Sequence, residues 1–140
     1  MMSLYVSGPM TGRPNMNFEA FNDLTCRLRW LGYTVTNPVE INPDPSADWL
    51  DCIAADIAAM RYVDGIVQMP GWETSFGAWI EYLVALKYGL DVYCVADSRI
   101  GYIKKTASHP LSIWSSISYA GALLALRCFK TKRAKYREAV

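Results

Sequence analysis

A chain of 140 residues, 52% of them hydrophobic, is long enough to bury the core of one ordinary domain and too apolar to be disordered. The net charge of +1 conceals an asymmetry: residues 1–100 carry 6 Lys/Arg against 12 Asp/Glu (−6), and residues 101–140 carry 8 against Glu138 alone (+7). An acidic body followed by a basic tail implies two parts with different roles. Cys26, Cys52, Cys94 and Cys128 form no CxxC pair and MMSLYVSGPM has no signal-peptide pattern. Free thiols in a reducing cytoplasm are therefore expected, rather than a zinc site or disulfide framework.

LYVSGPM reads as a short apolar strand stopped at Gly8-Pro9. NFEAFNDLTCRLRWLG predicts an amphipathic helix, with Phe18, Phe21, Leu24, Leu28 and Leu31 at steps of three and four. Asn17 is its expected N-cap and Gly32 its stop. YTVTNP is a second strand, EINPDPSAD a loop, and Ser46 the expected start of the helix ADWLDCIAADIAAMRY. GIVQM is a third strand closed by Pro70-Gly71. A third helix begins near Ser75, and DVYCVA is a fourth strand.

Strands alternating with helices predict parallel βαβ units: a doubly wound, flavodoxin- or Rossmann-like, mostly parallel sheet of four to five strands with flanking helices. The α/β domain is expected over residues 1–98, followed by a C-terminal segment over 99–140. Ligands of such sheets bind outside the carboxyl ends of the strands. That rule selects Gly8–Arg13, Pro70–Ser75 and the loop after Ala96.

Glu81 stands out in ETSFGAWIEYLVALKYGLDV, since its helical neighbours Gly77, Ala78, Val84 and Ala85 are small or apolar. A carboxylate there either pairs with Lys87 or Arg61 at the helix edge or sits desolvated for chemistry. Ser75 and Gly77 open the same helix, where free N–H groups and the helix dipole suit an anion. As plain structure, Ser75 is an N-cap and Gly77 a packing concession. Six residues separate Ser75 from Glu81, about 9 Å of helical rise. The loop SGPMTGR, with Ser7, Gly8, Pro9, Met10 and Gly12, could cradle a ligand or simply turn; it is neither a Walker loop nor GxGxxG. Asp56 is a second carboxylate among alanines, and neither a solvent-facing nor an inward position follows from its neighbours. Trp72 could cover a planar ligand or plug a core edge. His109, without partners by spacing, has no expected catalytic role.

Taken together, YVSGPMTG, AADIAAMRYVDGIV and SFGAWIEYLVALKYG resemble the nucleoside 2-deoxyribosyltransferases and the related nucleoside 5′-monophosphate N-glycosidases. The similarity extends over about residues 3–96 and is greatest to a poorly characterised branch common in phage genomes. It implies that Glu81 is the nucleophile at the anomeric carbon, that Asp56 contacts and protonates the leaving base, and that Tyr5 orients Glu81. Gly8 would lie against the sugar or phosphate, and Asp64 would be structural. Six residues before the nucleophile the transferases carry an aspartate for a free 5′-hydroxyl, whereas the monophosphate hydrolases carry a serine. Ser75 therefore implies a phosphorylated substrate. Pro9, Met10 and Thr11 replace side chains that bind phosphate in the hydrolases. The resemblance also implies hydrolysis or base exchange without cofactor or metal, and a homodimer or larger homo-oligomer. The family's fifth strand and its C-terminal segment, which often completes a neighbour's site, are not evident after Ala96. A non-catalytic nucleotide-binding protein is the reading from a different class.

Thr106–Leu126 holds 21 residues without Asp, Glu, Lys or Arg, but Pro110, His109 and five serines interrupt it. Its apolar core ISYAGALLAL is too short to span a bilayer, so an amphipathic or oligomer-forming helix is expected. RCFKTKRAKYR, with six basic residues in eleven, reads as a solvated end. Contact with nucleic acid or an anionic membrane is the lesser alternative for it.

Overall fold

The structure, a computed structural model, describes residues 1–106. The readings made of His109, the ISYAGALLAL stretch and the basic run fall outside the described residues. Among the described residues no helix is long and apolar enough to cross a membrane.

Five strands form one sheet: β1 (Ser3–Ser7), β2 (Thr34–Thr36), β3 (Gly65–Gln68), β4 (Asp91–Asp97) and β5 (Tyr102–Lys105). Their order is β2-β1-β3-β4-β5, and the first four are parallel, with Leu4 beside Val35, Tyr5 beside Ile66, and Ile66 beside Val92. The protein is thus the α/β, doubly wound, mostly parallel fold that strand–helix alternation predicts. β5 had no clear signal in the sequence; it runs antiparallel along β4, with Cys94 opposite Lys104. The sheet accordingly extends past the boundary drawn at residue 98.

Four helices connect the strands: α1 (Phe18–Trp30), α2 (Pro38–Ile41), α3 (Trp49–Ala59) and α4 (Phe76–Tyr88). Alternation along the strands divides the core. Leu4, Val6, Val35 and Val67 pack against Phe21, Leu24 and Leu28 of α1 on one face. Tyr5, Ile66 and Val92 pack against Met60, Tyr82 and Ala85 on the other. Full burial of residues such as Phe21 and Leu28 contributes about 1.5–3 kcal/mol each.

Local chemistry sets the helix ends. Gly32 and Gly89, at φ 96° and 69°, take the left-handed conformation after α1 and α4. There Tyr33 N–H donates to Leu28 O and Leu90 N–H to Ala85 O, closing the last turns. Asp48 caps α3 by accepting from Leu50 and Asp51 N–H, so the cap lies two residues after Ser46. Ser46 instead bonds Asp44 in a local turn. Asn17 precedes α1 but does not cap it through its side chain, whose amide donates to Pro9 O at 2.9 Å. Asn15, Met16 and Asn17 all have positive φ, a conformation tolerated by asparagine and costly for Met16.

Candidate active site at the carboxyl ends of β1 and β3

The β1/β3 boundary is where the strand order reverses, and the pocket opens there. Its volume is about 140 Å³, several times the 10–15 Å³ or so needed per water on the same measure. The loop after β1 contributes Gly8, Met10 and Thr11, and α4 contributes Ser75 at its cap, Gly77, Ala78 and Glu81. Of the third wall only Asp56 was anticipated. This wall comes from the segment after β2 and from α3, through Asn42, Asp44, Trp49, Cys52, Ile53 and Asp56. The segment after Ala96, which the sheet rule also selects, turns into β5 and does not line this pocket.

The α4 sequence buries Ala78, Glu81, Tyr82 and Ala85, positions i, i+3, i+4 and i+7 of one stripe. Glu81 belongs to the inward face by register, and only 5% of it is exposed. Neither Lys87 nor Arg61 pairs with it: the ion pairs among the described residues are Arg29–Glu40, Arg99–Asp97 and Lys105–Asp91. Its partners come from β1, where residues 5 and 7 share a face. Tyr5 Oη donates to Glu81 Oε1 at 2.9 Å, and Ser7 Oγ donates to Oε2. Both donors are fully buried.

Asp56 lies on the inward stripe of α3 with Ile53 and is 6% exposed. Asn42 Nδ2 donates to its Oδ1 at 3.1 Å. The charge of Asp56 also helps to hold the proton of the nearby Tyr5 hydroxyl. Burial pushes Glu81 up to about 8, helped by the charge of Asp56 and opposed by the Ser7 and Tyr5 hydrogen bonds. Burial likewise raises Asp56 to about 7, against the hydrogen bonds of Tyr5 and Asn42. Tyr5 is held well above the usual phenol range by burial first, then by both carboxylates. Two interacting acids titrate as a pair, so near neutral pH the site holds a proton that an ordinary carboxylate would have lost.

Ser75 is the N-cap of α4, its Oγ accepting from Ala78 N–H at 3.2 Å, and its own O–H remains to donate. A Cβ built on Gly77 would meet only ordinary contacts, Ile53 Cδ1 at 3.5 Å among them, so packing does not demand glycine there. Gly8 differs: a Cβ would lie 2.8 Å from Met69 Cβ, so the first loop closes on the residue after β3.

Other anticipated residues stand away from the pocket wall. Pro9 is buried and gives its carbonyl to Asn17, and Gly12 faces open space at φ 80°. Trp72 does not line the pocket; its ring packs 4.6 Å from Trp79 and 5.4 Å from Tyr82, which makes it a plug at the core edge. Asp64 accepts from Ser3 N–H at 2.7 Å and Ser3 Oγ at 2.9 Å, a structural clamp between β1 and the entry to β3. Asn42 and Trp49 were missed. Asn42 fell in a loop read as turn formers alone, and Trp49 in the first turn of the helix that follows it.

No curated protein matches the chain. Residues 2–94, the stretch that holds β1 to β3, α4 and every side chain of the carboxyl pair, match the family model DUF4406, a domain of unknown function, and the chain belongs to that family.

Proposed function

We propose that the protein hydrolyses the N-glycosidic bond of a (deoxy)nucleoside 5′-monophosphate, giving free base and (deoxy)ribose 5-phosphate, as in the nucleoside 2-deoxyribosyltransferase superfamily it resembles. The observation that carries this reading is the pair of buried carboxyls, Glu81 from α4 and Asp56 from α3, that line one pocket, with Tyr5 holding Glu81 from beneath. Glycosidic cleavage calls for two such groups, one at the anomeric carbon and one at the leaving group.

In the first step the Asp56 acid gives its proton to the departing base nitrogen while a Glu81 oxygen bonds the anomeric carbon and the C–N bond breaks. In the second step the Asp56 carboxylate takes a proton from water, whose oxygen bonds the anomeric carbon as the bond to Glu81 breaks. Both acids return to their starting states. The apolar surroundings that raise Asp56 keep a proton available at neutral pH. At the other end of the pocket, the Ser75 hydroxyl and the free N–H groups of the first turn of α4 would receive the phosphate.

One observation favours base exchange on an uncharged nucleoside instead. Asp44, Asp56 and Glu81 line the pocket, and among the described residues no Lys or Arg does. The discriminating assay is chromatographic detection of free base after incubation with each common ribo- and deoxyribonucleoside and its 5′-monophosphate. Glu81→Ala runs as the control. Base release from monophosphates that vanishes in the variant supports hydrolysis. Product from unphosphorylated deoxynucleosides, formed only when an acceptor base is added, supports exchange. Ligand-induced stabilisation without base release would mean a nucleotide-binding protein. The same reading carries a homodimer or larger homo-oligomer, measured by light scattering on the full chain.

A further inference from the structure

Asn42 touches Asp56 in a way that decides where a proton can sit. Its Nδ2 donates to Asp56 Oδ1 at 3.1 Å and lies 3.5 Å from the carbonyl oxygen of Cys52. Both are acceptors, and a backbone carbonyl is never anything else, so the NH2 end of the amide faces α3. An amide N–H cannot accept a hydrogen bond. When Asp56 is neutral its proton therefore belongs on Oδ2, because a proton on Oδ1 would meet another donor. Asp56 and Asn42 both line the pocket, and with Oδ1 engaged Oδ2 is the oxygen left to meet a ligand. The support for this amide reaches back through two more asparagines. Asn42 ends α2, and its own N–H donates to Pro38 O at 2.9 Å. A helix of four residues is too short to hold itself. Asn37 holds its start: Oδ1 accepts from Val39 N–H at 3.0 Å, while Nδ2 donates to Asn22 Oδ1 on α1 at 2.9 Å. Asn37 is 1% exposed, so the anchor belongs to the interior. Thus α1 places α2, and α2 places the amide against α3.

We propose that Asn42 is a positioning residue for the Asp56 acid: its N–H keeps Oδ1 an acceptor and reserves Oδ2 for the proton that the leaving base receives. The catalytic meaning of this role rests on the glycosidic reading. Asn42 acts on the charged form as well, since an N–H donated to a carboxylate favours ionisation and opposes what burial does to Asp56. Asp56 is thereby kept able to give its proton near neutral pH and to take one back from water in the second step. The titratable groups around it are Tyr5 on β1, Cys52 on α3, Asp44 in the segment after α2 and Glu81 on α4, and none of them carries a positive charge. Help for the ionised form at Oδ1 therefore comes from a neutral donor, the amide of Asn42.

Two variants test this: Asn42→Leu, close in size but without the amide, and Asn42→Asp, which keeps the shape and turns an oxygen toward Asp56. Carboxyl resonances of the full chain labelled with ¹³C-Asp give the Asp56 titration without turnover. Asn42→Leu should move the Asp56 ionisation up by about one pH unit, and Asn42→Asp should move it further. An Asp56 titration unchanged in either folded variant would overturn the proposal, Asn42 then being only a brace between α2 and α3. The second readout is base release from a purine nucleoside 5′-monophosphate and from its 7-methylpurine counterpart, whose base already carries a positive charge and leaves without an acid. Asn42→Leu should lower kcat on the first by about tenfold with little change in KM, and should leave the second close to wild type. Equal losses on both substrates would overturn the positioning role, since the damage would not pass through the acid. A titration that shifts as expected in a protein that releases base from neither nucleotide would support the placement of the proton and overturn the glycosidic reading.

Discussion

Replacing Glu81 by glutamine should make the protein more stable, by an amount that grows with pH. The side chain is 5% exposed, and burial pushes its ionisation up to about 8 from an ordinary 4.5. In the unfolded chain the carboxyl ionises near 4.5, whereas in the fold it keeps its proton until about pH 8. The folded state therefore binds more protons throughout that window, and stability falls as pH rises through it. Below 4.5 both states are protonated and there is no cost; above 8 the cost is complete. For these two values the loss between pH 5 and pH 8 is on the order of 3–4 kcal/mol. Glutamine has nearly the same shape, can accept from Tyr5 and donate to Ser7, and does not titrate. Removing the Glu81 charge also relieves the coupled Asp56, which adds to the gain in the same direction. Denaturant unfolding of wild type and Glu81→Gln at pH 5, 6, 7 and 8 measures the difference directly. The variant should gain on wild type across the series, reaching several kcal/mol at pH 8. A gap that stays constant with pH, or a wild type that becomes the more stable partner at pH 8, would refute the claim that this carboxyl is held desolvated.

Three further outcomes follow from local geometry. Ser75→Ala removes the N-cap of α4 and should cost about 1 kcal/mol in thermal unfolding, whereas Ser75→Asp keeps a cap acceptor and should lose monophosphate binding selectively, read as a rise in KM. Gly8→Ala would force its methyl against Met69 Cβ, 2.8 Å away, and should destabilise by about 1–3 kcal/mol in urea unfolding. Gly77→Ala meets no such obstacle, so its stability should be unchanged or raised by up to about 1 kcal/mol. Its methyl narrows the pocket between Ile53 and Ser75, however, and ligand affinity by calorimetry should drop.

Much of the site was legible because helix periodicity carries a burial code. Ala78, Glu81, Tyr82 and Ala85 repeat at three and four, and that spacing alone aims Glu81 inward. Tyr5 and Ser7 obey the period of two that gives them one face of β1. Asp56 was ambiguous because alanines surround it on every side, and a helix of small residues shows no stripe to read; the position of Ile53 and Met60 against the sheet decides it. Trp72 was left open between two roles, since a loop tryptophan has the same neighbours in sequence whether it covers a ligand or plugs a core. Only the approach of Trp79 and Tyr82 from α4 tells them apart.

By itself the sequence determined the first four strands and the three longer helices, where α4 starts and stops, and that a carboxylate stands there among small and apolar helical neighbours, because these depend on neighbours within about one helical turn. The strand order, the antiparallel β5, the meeting of Asn42 with Asp56 and the meeting of Tyr5 with Glu81 were decided only by tertiary structure. Those contacts join residues 14 and 76 positions apart, and their geometry depends on how whole helices pack against the sheet. The raised ionisation of both acids is a property of that packing, since burial takes from each carboxyl the water that would stabilise its charge.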